Sequence, residues 1–121
     1  IEVNKLPELD LNEASYFGRI FARTGGVTEA IREAVKEHGY EGMKFEPAVC
    51  DGIDKCKTAL LKAGRGIFTS NFIEGMACID GCIGGAACLK HGDSNKAGID
   101  RFGSEAEKTE ILQAAEPYLG D

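Results

Sequence analysis

The chain has 121 residues, enough for one domain with its own core and too few for two of ordinary size. Its apolar fraction of 43% and charged fraction of 28% are those of a soluble globular protein, and no apolar run is long enough to cross a bilayer. A net charge of -6 without a clustered basic stripe argues against nucleic acid as a partner, because phosphate contacts need such a surface.

Residues 1–15 hold one proline, several acids and little periodicity, so an irregular lead-in is expected. No secretory leader is visible, and the start at Ile1 leads us to expect a piece cut from a longer chain. Tyr16 to Gly26 runs into an amphipathic helix. Val27, Ala30, Ile31, Ala34 and Val35 recur at helical spacing, while Glu29, Arg32, Glu33 and Lys36 point elsewhere. Gly39 is placed to stop that helix. Met43 to Cys50 reads as a short strand, with Pro47 pushing it toward an edge or a strand start. Asp51 is positioned to cap a second helix, on which Ile53, Cys56, Leu60 and Leu61 share one face and which Gly64 ends. Phe68 to Ala77 is expected to form a second strand. The polar, glycine-containing segment from Lys90 to Gly103 reads as a long loop. Ser104 followed by Glu107 is a capping-box signature for a last helix, ended by Pro117. This order predicts an α/β fold in a single domain, with a small parallel sheet and flanking helices.

The five cysteines are Cys50, Cys56, Cys78, Cys82 and Cys88. An odd count without a secretory signal does not favour a disulfide framework, so a reducing compartment is expected, with the cytoplasm as the default. The richest stretch is Asn71-Phe-Ile-Glu-Gly-Met-Ala-Cys78-Ile-Asp-Gly-Cys82-Ile-Gly-Gly-Ala-Ala-Cys88. An apolar run precedes two cysteines and a cluster of glycines. That order reads as a strand delivering thiolates into a tight loop with exposed backbone, which suits an inorganic cluster. A cubane cluster needs four thiolates, and the Cys-x3-Cys-x5-Cys spacing fits neither ferredoxin pattern. Three intervening residues also fit zinc, which would draw two further ligands from Cys50, Cys56, Cys88 and His91; spacing alone leaves zinc open. Buried thiols are the ordinary alternative. We read Cys56, on an apolar helix face, as such a thiol, and Cys78 and Cys82, among glycines, as metal ligands. His38 and His91 have no visible carboxylate partner and are given no catalytic role.

The same stretch closely resembles the last of the three cysteine motifs of the iron-only (FeFe) hydrogenase large subunit, Glu-x-Met-x-Cys-x-x-Gly-Cys-x-x-Gly-Gly. Every fixed position is present, as Glu74, Met76, Cys78, Gly81, Cys82, Gly84 and Gly85, with Ala86 where many relatives have a third glycine. A second segment, Ile20 to Ala30, resembles that family's Phe-Gly-x-Thr-Gly-Gly-Val-Met-Glu-Ala; Ala22 replaces the usual glycine and Thr28 the usual methionine. The resemblance spans roughly Phe17 to Cys88. It implies that Cys78 is the terminal ligand of a 4Fe-4S cubane and that Cys82 bridges the cubane to a linked diiron subcluster. It implies that Met76 points toward the diiron centre and that Gly81, Gly84 and Gly85 let the backbone approach the cluster. It places Phe21, Ala22, Gly25 and Gly26 beside the diiron site, where a glycine pair at a helix N-terminus favours anionic ligands such as cyanide. Glu74 is given no role, and Cys50 and Cys88 lie outside the general pattern.

The family's other two cysteine motifs, Thr-Ser-Cys-x-Pro-x-Trp and Met-Pro-Cys-x-x-Lys, do not occur in these 121 residues. The resemblance is therefore to part of the C-terminal domain of a hydrogenase large subunit. Its implied partners are the rest of that subunit and a ferredoxin-like electron carrier, with no nucleic acid and no membrane. Its implied function is reversible dihydrogen oxidation and proton reduction in a full-length parent. The piece alone is expected to hold no cofactor and to be inactive, since two ligands cannot hold a cubane. The alternative readings are a non-catalytic iron–sulfur sensor module of the same fold and a zinc-bound structural domain.

Overall fold

A computed structural model of the chain describes residues 1–8, 13–40 and 42–119, so the expected lead-in falls partly outside the described residues. The elements run α1 (Tyr16–Arg19), α2 (Gly26–Glu37), β1 (Pro47–Asp51), α3 (Ile53–Gly64), β2 (Phe72–Met76), α4 (Asp93–Ser104) and α5 (Ile111–Ala115). Short 3-10 turns occur at Val3–Lys5, Cys82–Gly84 and Glu116–Tyr118, the last of which contains Pro117. No helix among the described residues is long and apolar enough to cross a membrane.

The expected α/β character is present. Strands β1 and β2 pair in parallel, with Pro47 opposite Phe72 and Asp51 opposite Met76. Parallel neighbours need a crossover, which α3 supplies. Pro47 occupies the first position of β1, where a missing N–H does least harm to the ladder. The strand therefore starts four residues later than Met43 and runs on to Asp51.

Helix α2 forms as its periodicity predicts: Ala30 is buried, Val27, Ile31, Ala34 and Val35 are half-buried, and Arg32 and Lys36 are exposed. It closes at Gly39 (φ +71°), with Tyr40 N–H donating to the Val35 carbonyl at 2.9 Å and Gly39 N–H to that of Lys36 at 3.0 Å. This pair of bonds needs a left-handed residue between them. Helix α3 closes the same way two residues beyond Gly64, at Gly66.

Three local expectations are corrected. Asp51 does not cap α3; Gly52 occupies the cap, and the Asp51 carboxylate turns instead toward Asp80 and Lys55. Lys90 to Gly103 is not a loop, because α4 occupies most of it. Its glycines lower helix propensity, but packing overrides that. Gly103 lies so close to α1 that a Cβ there would come within 2.8 Å of the Tyr16 ring. Ser104 ends α4 rather than starting a helix, its hydroxyl donating to the Asp100 carbonyl at 2.9 Å. The last helix begins at Ile111, where the Glu37 carboxylate from α2 accepts the Ile111 and Leu112 N–H groups at 2.7 and 2.9 Å. A distant acid thus does what a local capping box was expected to do.

The core is small. Ile20, Ala30, Cys50 and Ala59 are its buried apolar side chains among the described residues. The shared face of α3 leaves Ile53, Leu60 and Leu61 exposed, and with half-buried Cys56 and exposed Gly75 and Ala77 they line an open groove of about 680 Å³.

Candidate cluster-binding site

Strand β2 carries two of the motif residues, Glu74 and Met76, and leads to Cys78. Glu74 is only 4% exposed, and its two oxygens accept the N–H groups of Gly25 and Thr28 at 2.8 Å each. A carboxylate at a helix N-terminus satisfies otherwise orphaned donors and complements the helix dipole. Glu74 therefore ties the strand that leads to Cys78 to the first turn of α2. Two residues on, the Met76 sulfur lies 4.0 Å from the Thr24 hydroxyl.

Beyond Met76 the chain folds into a compact loop. Asp80 (φ +67°) and Gly81 (φ +81°) reverse its direction, and Gly84 passes so close to Ile79 that a Cβ would fall 2.0 Å from the Ile79 carbonyl oxygen. A Cβ at Gly81 would meet the Met76 sulfur at 2.6 Å and the Thr24 nitrogen at 2.8 Å. These glycines are requirements of close approach, not merely of turn geometry. Cys78 and Cys82 are both exposed, and the Cys78 sulfur would lie 3.4 Å from a Cβ on Gly85. Cys88 is half-buried, with its thiol donating to the Cys82 carbonyl at 3.1 Å.

The loop is fastened on two sides. Thr24 N–H donates to the Asp80 carbonyl and Ile83 N–H to the Ala22 carbonyl, both at 3.2 Å, around an antiparallel bridge between Arg23 and Gly81. The two segments singled out in the sequence, some fifty residues apart, are thereby joined. On the other side the Asp51 carboxylate accepts the Asp80 N–H at 3.0 Å while pairing with Lys55 at 2.6 Å.

Those hydrogen bonds, from Lys55 first and then the Asp80 backbone, hold the Asp51 carboxyl below its ordinary range. A depressed carboxyl contributes stability that is complete above its unfolded pKa and lost as pH falls through the lower folded value. Exchange protection at the Asp80 amide is therefore expected to survive acidification past the ordinary aspartate pKa of about 3.9 and to fail only below it. Protection already lost above that pH would contradict the anchoring role of Asp51.

Arg23 is 4% exposed. Its guanidinium donates to Asp100 at 2.5 Å, to both Glu29 oxygens at 3.0 Å and to the Thr24 carbonyl at 3.2 Å. Burial works to lower its pKa, but the bonds to Asp100 and Glu29 outweigh that and hold it above the ordinary arginine value. The group is a permanent cation beneath the joined loops.

Of the residues marked for the site, Phe21, Ala22, Gly25 and Gly26 lie on the segment that carries the Arg23 bridge to Gly81, and Phe21 is exposed. The Gly25 N–H is already taken by Glu74, and the Gly26 N–H donates to the Arg23 carbonyl at 3.0 Å. The Thr28 hydroxyl is buried without a hydrogen-bond partner among the described residues. Cys56 lies apart, its thiol donating to the Cys50 and Met76 carbonyls at 3.5 and 3.4 Å. No group of three or more His, Cys, Asp or Glu side chains gathers to hold a metal among the described residues, so a four-ligand zinc set is not assembled. Two exposed thiols on a loop cradled by Gly85 suit part of a cluster's ligand set and not the whole of it.

The family model for the C-terminal domain of the iron-only hydrogenase large subunit matches residues 1–86. The chain belongs to that family. No curated protein matches the chain. The hydrogenase match takes in Cys78, Cys82, Gly84 and Gly85 and stops short of Cys88 and of helices α4 and α5. Membership makes this a domain of a hydrogenase large subunit, an oxidoreductase whose family implies iron–sulfur clusters. The residues that sequence reasoning passed over are Glu74, Arg23 and Asp100. Glu74 did carry a signal: an acid at an inward position of an otherwise apolar strand calls for a buried partner.

Proposed function

We propose that this chain supplies two thiolate ligands, Cys78 and Cys82, to the 4Fe-4S and linked diiron cluster of an iron-only hydrogenase, the remaining ligands coming from polypeptide that carries the family's other two cysteine motifs. The observation that carries this reading is the joining of the Thr24–Gly26 turn to the exposed cysteine loop, within a family-matched region. When bound, such a cluster supplies the electron transfer that accompanies interconversion of dihydrogen and protons. The chain's own residues bind and orient. Cys78 and Cys82 present sulfur to iron, Gly81, Gly84 and Gly85 keep side chains out of its way, and Glu74 holds the adjoining turn. The exposed face of Ile53, Leu60 and Leu61 further supports packing against the remainder of the parent hydrogenase, because apolar groups at this density are ordinarily covered.

The chain alone, given ferrous iron and sulfide without oxygen, is expected to hold no stable four-iron cluster. Co-produced with the segment bearing the other two motifs, it is expected to yield a cluster seen by electron paramagnetic resonance, lost in Cys78→Ser and in Cys82→Ser. A stable cubane in the chain alone, or a signal indifferent to both substitutions, would sink the proposal.

A further inference from the structure

Helix α4 lies wholly outside the family-matched residues, yet it reaches both of the joined loops. Near its start, the Asn95 amide donates to the Ile83 carbonyl at 3.1 Å, inside the turn that follows Cys82. One and a half turns later Asp100 accepts from the buried Arg23 at 2.5 Å, at the point where Arg23 bridges to Gly81. Near its end Gly103 is buried against Tyr16 and Ile20, and Arg19 donates to the Phe102 carbonyl at 3.0 Å while stacking 4.6 Å above that ring. The contacts at the helix end fix α4 to α1. The two before them then have a rigid base from which to hold the loops.

We propose that α4 is a clamp for the cysteine loop, with Asn95 and Asp100 as its positioning residues. Asn95 sets the turn after Cys82 directly. Asp100 acts through Arg23, whose charge needs a carboxylate on each side to be held where it is buried. Glu29, on α2, orients one side of the guanidinium; Asp100 orients the other and ties it to a different element. Loss of either residue leaves the fold's βαβ unit untouched and loosens the joint between the loops.

The inference deepens the cluster-binding reading, but its test does not require iron. Amide exchange is followed at Thr24 and Ile83, whose N–H groups make the two joining bonds, with the amides of α3 as an internal reference. In Asn95→Ala and in Asp100→Asn, exchange at Thr24 and Ile83 is expected to quicken roughly tenfold while α3 is unchanged. Asp100→Glu is expected to restore most of the protection, which a general packing defect would not allow. Labelling of Cys78 and Cys82 by a thiol reagent should change in the same variants, with buried Cys50 unaffected. Unaltered exchange at both amides, or equal acceleration throughout the chain, would overturn the clamp. Either result leaves the iron experiment to be judged on its own.

Discussion

Replacing Glu74 with alanine is expected to be the most damaging single change to a side chain in this domain. The substitution leaves the Gly25 and Thr28 N–H groups without their acceptor in a place where Glu74 itself is almost inaccessible. An unsatisfied buried donor costs about 1–3 kcal/mol, so the pair is worth about 2–6 kcal/mol. Against a usual total of about 5–15 kcal/mol, that loss is large. Glu74→Gln keeps one carbonyl acceptor and is expected to lose about half as much. Urea denaturation followed by circular dichroism measures both. A change under about 0.5 kcal/mol for the alanine variant, the range of an ordinary surface substitution, would show that the turn of α2 does not depend on Glu74.

The second large effect is expected at Gly84. A methyl group there would sit 2.0 Å from the Ile79 carbonyl oxygen and 3.2 Å from the Asp80 Cβ, and the first of these is backbone that cannot swing aside. Gly84→Ala must therefore open the turn, breaking the bond from Ile83 N–H to the Ala22 carbonyl. Forced overpacking costs about 1–3 kcal/mol. The expected readout is a fall in stability of that order, together with faster thiol labelling of Cys82. Gly98→Ala serves as the contrast. Nothing lies within 4 Å of a Cβ at that position in α4, and the change is expected to stabilise by about 0.5–1 kcal/mol. If both substitutions behave alike, the tight closure of the cysteine loop is not a constraint on the fold.

How much of this was legible beforehand depended on the range of the interaction. Helix α2 was plain, because its apolar spacing and Gly39 stop are local. The βαβ unit was plain for the same reason, although both strands begin four residues later than expected, at Pro47 and at Phe72 rather than Phe68. Both motif segments were visible as sequences. What could not be read was their joining, since the bonds between Thr24 and Asp80 and between Ala22 and Ile83 are made by main-chain groups that every residue but proline carries. Helix α4 was missed because its glycines argue against a helix, and the contact of Gly103 with Tyr16 spans most of the chain. Ser104 and Glu107 looked like a helix start, and Glu37, more than seventy residues from Ile111, took that role. Asp51 was expected to cap α3 and instead holds the Asp80 N–H, outside that helix.

The seam between the two motif segments has an evolutionary meaning. Because it is sewn from peptide groups, substitution at 22, 24 or 83 by any residue but proline leaves its stitches in place. Residues 81 and 84 have no such latitude, since what they contribute is the lack of a side chain. Change around the cysteine loop is thus tolerated where a residue contributes only its main chain and refused where it contributes empty space.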